Sequence, residues 1–123
     1  MAGHAGPTPE RWSEFTRDQQ VLMIANEMNR ASKWMGSEDA ARRQSAYERA
    51  LSLVDLTIGA NASPGFRREM LRWRDLLAGL YLSAAAAPDR HAAAVRALLR
   101  FTPEASRQIP HVLGAGRAPS TAG

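Results

Sequence analysis

Apolar residues recur at helical spacing along most of the chain, and no stretch alternates polar with apolar as a half-buried strand would. Val21, Ile24, Ala25, Met28, Ala31 and Met35 mark one face of a first helix. Thr16 stands before it as an N-cap, Gln19 completes a capping box, and Asp18 complements the helix dipole. Gly36 is placed to end this helix in a left-handed turn, and Ser37 to cap a second one with Glu38 and Asp39 in its first turn. So short a connection predicts a tight helical hairpin.

The second helix carries Ala40, Gln44, Tyr47, Leu51, Val54 and Ile58, in alternating steps of four and three, up to Gly59. Such steps define a coiled-coil-like seam. The stretch GANASPG then breaks the pattern, Ser63 is a cap, and Pro64 suits the first helical turn, where its missing N–H costs nothing. Phe66, Met70, Trp73, Leu77 and Leu80 repeat the same steps and supply the matching seam. A run of alanines ends at Pro88, and Asp89 is placed to cap a shorter helix whose face is Val95, Leu98, Leu99 and Thr102. Thr102-Pro103-Glu104 opens one more turn toward Ile109. The expected fold is all-α: an up-and-down helical bundle of three long helices plus a shorter fourth, with flexible termini.

With a turn near Asn61 and Ala62, residues of the two seam helices face each other when their numbers sum to roughly 124. Tyr47 then meets Leu77, Leu51 meets Trp73, and Val54 meets Met70, with Asp55–Arg67 and Glu48–Arg74 as ion pairs on one flank. On the other flank Ala50 and Leu76 are apolar, which predicts that another helix covers them. Trp12 and Phe15 are expected to close one end. The Gly/Pro-rich ends cannot offset their ordering entropy by burial, so residues 1–11 and 113–123 are read as flexible tails around a bundle domain of residues 12–112.

Charge changes the picture most. Of 16 basic residues only Lys33 is lysine, and the formal net charge is +4. Arginine suits phosphate through paired, charge-assisted hydrogen bonds, although abundant Ala, Arg and Gly is also what a GC-rich genome writes. Arg67 and Arg68 begin the third helix, where free N–H groups and the dipole favour anions. An antiparallel fourth helix brings Arg100 and Arg107 to the same end, so these four form the candidate anion- or partner-binding site. Trp73, at a seam position, is read as core rather than as a base-stacking side chain.

Other chemistry is sparse. Cysteine is absent, which excludes disulfides, thiolate chemistry and cysteine-bound zinc. His4, His91 and His111 include no i, i+4 pair, His91 is expected to be exposed, and neither a metal nor another cofactor is expected. No catalytic signature such as G-x-S-x-G occurs, no small-molecule substrate is evident, and Asn26, Glu27, Asn29 and Arg30 read as a solvated face. No apolar run approaches the ~20 residues that span a bilayer, so a cytoplasmic, membrane-free protein is expected.

Two partial likenesses bear on this reading. Arg107-Gln-Ile-Pro-His111 resembles the Arg…His motif of helical RNases of the HEPN type, which has four to six intervening residues where this chain has Gln108, Ile109 and Pro110. The departure argues against that nuclease activity and leaves a non-catalytic relative open. SEDAARRQSAYERALSLVDLTI and LLAGLYLS resemble stretches of the flagellar export chaperone bundle, and that likeness implies helix packing alone. The expected function is a non-enzymatic helical interaction module (an adaptor, chaperone or regulatory subunit) that binds a protein partner or a second copy of itself. The alternative is an RNA- or DNA-binding domain that uses the arginine-rich end.

Overall fold

A computed structural model describes residues 6–114. They form α1 (Pro9–Ser13), α2 (Arg17–Ala31), a 3-10 turn at Ser37–Asp39, α3 (Ala40–Ala60), α4 (Pro64–Leu82), α5 (Pro88–Leu99), α6 (Pro103–Ser106) and α7 (Ile109–Gly114). This is the all-α bundle expected, with α2, α3 and α4 long and α5 shorter. The tails read as flexible fall mainly outside the described residues. Inside them, α1 is helical from Pro9 with Thr8 as its cap, and α7 runs to Gly114.

The cap of α2 forms as the sequence predicts: Gln19 N–H donates to Thr16 Oγ1 at 3.1 Å, and Thr16 N–H donates to Gln19 Oε1 at 2.8 Å. The exit differs. Trp34 N–H closes a turn on the Ala31 carbonyl at 2.9 Å, and Gly36, with φ −74°, is not left-handed. Gly36 itself caps the 3-10 turn, and Ser37 lies within it. Arg43 Nη1 donates to the Trp34 carbonyl at 3.0 Å, which ties this connection to α3. At the other end Ala87 is the N-cap of α5 and Pro88 its first residue, leaving Asp89 inside the first turn rather than at the cap.

Helix α3 packs against both α2 and α4, and this explains a rotated core face. Its buried residues are Arg43, Ala46, Tyr47, Ala50, Val54 and Thr57, while Leu51 and Ile58, two of the predicted seam residues, are only half-buried. Serving two neighbours needs a wider stripe than one seam, and alanines at 46 and 50 let a neighbouring helix approach closely. On α4 the predicted face holds at every position: Phe66, Met70, Trp73, Leu77 and Leu80 are buried. Trp73 Nε1 donates to the Ala94 carbonyl at 2.7 Å and so joins α4 to α5.

The flank of the α3–α4 pair is corrected by seven residues, about two turns. Asp55 pairs with Arg74 at 2.7 Å, not with Arg67, and Glu48 accepts from Tyr81 Oη at 2.7 Å, not from Arg74. Arg67 is engaged elsewhere, its Nε donating to the Ile58 and Asn61 carbonyls at 3.0 and 2.5 Å. Those carbonyls end α3 and need donors, so the side chain caps the preceding helix instead of reaching along it. The second flank is covered on one helix only: Ala50 is buried, whereas Leu76 stays 53% exposed.

Trp12 closes an end of the bundle, as expected. Its ring is fully buried and meets Phe15 edge-on at 5.6 Å. A buried polar network fixes it there. Trp12 Nε1 donates to Thr57 Oγ1 at 2.9 Å, Gln20 Nε2 donates to the Trp12 carbonyl at 2.9 Å, and Asn61 Nδ2 donates to Gln20 Oε1 at 2.9 Å.

Candidate functional site

The arginine-rich end is assembled around two phenylalanines. Phe66 at the start of α4 and Phe101 after α5 meet edge-on at 5.8 Å, which brings Arg67, Arg68 and Arg100 to one end of the molecule. The Arg17 guanidinium lies over the Phe66 ring at 4.2 Å, and its Nε donates to Asn61 Oδ1 at 3.1 Å. Arg17 thus belongs to this end although the sequence reading passed it over. Its position in the first turn of α2, beside the end of an antiparallel α3, was the available signal.

These arginines are not equivalent. Arg67 is held by backbone carbonyls, and Arg107 is paired with Glu104 at 2.7 Å. Arg68 and Arg100 are exposed and form no ion pair with a described residue. The start of α4 is partly self-satisfied: Phe66 N–H donates to Ser63 Oγ at 3.4 Å, Arg67 N–H donates to the Ser63 carbonyl at 3.0 Å, and Pro64 has no N–H to offer.

A more enclosed feature lies between α2 and α3. Met23, Asn26, Glu27 and Arg30 on one helix and Arg49, Ser52, Leu53 and Leu56 on the other follow the same i, i+3, i+4, i+7 pattern, so each set forms one wall of a groove. Gly6, Pro7 and Trp12 close one end, and the cavity measures about 870 Å³. The polar side of α2, read from sequence as solvated, is partly enclosed here. The Glu27 side chain is 15% exposed, accepts from Arg49 Nε at 3.0 Å, and has Arg30 Nη1 at 3.8 Å. Arg49 also donates to Ser45 Oγ at 3.0 Å. Every charge on these walls has a partner, since Asp55 is taken by Arg74. The groove therefore offers an apolar floor between internally neutralised walls.

A second cavity of about 530 Å³ opens between the end of α2, α5 and α7, with Ser32, Val95 and His111 in its lining. His91 borders it and is buried, contrary to the exposed position expected. Its Nδ1 lies 2.8 Å from Tyr47 Oη, while its buried Nε2 has no hydrogen-bond partner among the described residues. Burial pushes the imidazole below its ordinary range, opposed by the nearby Met28 backbone, and burial likewise raises the Tyr47 phenol, opposed by Arg43. The sequence pattern could have revealed His91, because 91, 95 and 98 share one helical face.

Among the described residues no cluster of three potential metal ligands exists, and no helix is long and apolar enough to cross a membrane. Comparison with protein-family models, curated proteins and solved structures finds no match to this chain.

Proposed function

We propose that the protein is a non-enzymatic helical interaction module whose α2/α3 groove receives a short, apolar segment of a partner protein. The carrying observation is the cavity of about 870 Å³ between Met23–Arg30 and Arg49–Leu56. Each wall spans eight positions, which correspond to about 10–12 Å of helix. That length accommodates one or two large side chains of a docked helix or extended segment. Because Glu27, Arg30, Arg49 and Asp55 are already paired within the protein, the walls offer little net charge to a polyanion, and shape with apolar burial favours a neutral anchor.

A random-sequence peptide library selected on the intact protein tests this. Enrichment of peptides with two apolar anchors one helical turn apart, and loss of their binding on Leu53→Glu and Leu56→Glu, supports the reading. Absence of enrichment, or enrichment indifferent to both substitutions, sinks it. The second reading, RNA or DNA binding at the basic end, draws on Arg68 and Arg100, which form no ion pair with a described residue. It requires affinity that falls steeply with salt and loses roughly one unit of log–log slope for each phosphate-contacting arginine removed.

A further inference from the structure

The exposed large hydrophobic residues among those described all lie on α4: Leu71 is 51%, Leu76 53% and Leu82 76% exposed. Leu71 stands three positions after Arg68 and four before Asp75, so the three residues share a stripe on the side of α4 away from Phe66, Met70, Trp73 and Leu77. Arg68 and Asp75 are both exposed, and neither forms an ion pair with a described residue. Their neighbours differ: Arg72 is paired with Glu69 at 3.5 Å and Arg74 with Asp55 at 2.7 Å. The stripe therefore offers one cation and one anion about two turns apart, on either side of an exposed leucine.

We propose that this stripe docks on the same stripe of a second copy, antiparallel about a two-fold axis beside Leu71, with Arg68 of each copy paired to Asp75 of the other. A surface with unlike charges equidistant from an apolar centre is complementary to itself when reversed and repulsive when parallel, so the pattern selects both the occupant and its direction. In this register the numbers of facing residues sum to about 143, an estimate from antiparallel helix geometry. Leu71 then meets Leu71, and Leu82 covers Ala62 in the α3–α4 loop. Groups that are exposed and lack an ion pair within the described protomer find partners together. The α2/α3 groove contains no α4 residue, so the two surfaces do not overlap.

Sedimentation velocity of the full chain over a concentration series tests the proposal, with circular dichroism checking that each variant remains helical. The wild type should dimerise in a concentration- and salt-dependent manner. Because each residue occurs twice in a two-fold interface, Arg68→Asp and Asp75→Arg should each weaken the dimer by roughly tenfold or more, equivalent to at least about 1.4 kcal/mol. The double exchange Arg68→Asp/Asp75→Arg should restore it, and Leu71→Glu should abolish it. A protein that is monomeric at every concentration, a dimer indifferent to the single reversals, or a double exchange that fails to restore association overturns the proposal.

Discussion

Tyr47 Oη and His91 Nδ1 lie 2.8 Å apart in the core, joining α3 to α5 across 44 positions of sequence. The pair makes stability depend on pH in two windows. His91 is held below its ordinary range, so in acid the unfolded chain takes up a proton that the folded one resists. Stability should be level above about pH 6.5, the ordinary histidine value, and fall as pH drops toward the depressed folded value. Tyr47 is raised, so its contribution is intact below about pH 10 and is lost as pH climbs through the folded value. Urea midpoints across pH check both limbs, and His91→Gln should remove the acid one. A profile unchanged by that substitution would count against the buried imidazole.

The network around Trp12 predicts a penalty for an apolar isostere. Thr57→Val keeps the shape but leaves Trp12 Nε1 buried without an acceptor, at a cost of about 1–3 kcal/mol. Equilibrium denaturation measures it, and an unaffected midpoint contradicts the hydrogen bond.

Trp73 fills the contact between α4 and α5. Truncation to alanine should cost about 3–5 kcal/mol through lost burial and a residual cavity. Of the three tryptophans, Trp12 and Trp73 are buried and Trp34 is partly exposed beneath Arg42. In Trp34→Phe protein the remaining emission should be blue-shifted and poorly quenched by acrylamide, and strong quenching there would show the core assignment to be mistaken.

Double-mutant cycles distinguish the two registers of the α3–α4 flank. Asp55–Arg74 should show a coupling of about 0.2–1 kcal/mol, as expected of exposed pairs, while Asp55–Arg67 should show none. The reverse result restores the register expected from sequence.

The two sets of α4 and α3 residues show what could be read from sequence and what could not. On α4 each apolar position is buried because the helix has one dominant core face, and periodicity alone reports that. On α3 the face is shared between two neighbours, so Thr57 and Arg43 enter the interior through hydrogen bonds that hydrophobic patterning does not register. Arg67 illustrates a second gap: its charge suggested a carboxylate partner, but two nearby helix-ending carbonyls had the stronger local need for a donor. The groove was invisible for a similar reason. Glu27 and Arg49 are separated by 22 positions, and only their juxtaposition turns a polar helix side into a cavity wall.

The five-residue helix α1 is too short to persist in water by itself, and its form depends on the seat that Trp12 occupies. Trp12 also borders the groove, so the chain's first helix and one boundary of that cavity come and go as a unit. On the proposed reading, a ligand that leans on this boundary would strengthen the hold on α1, and by reciprocity loosening α1 would lower the ligand's affinity by the same factor. On that reading, tension on the segment before α1 would empty the groove.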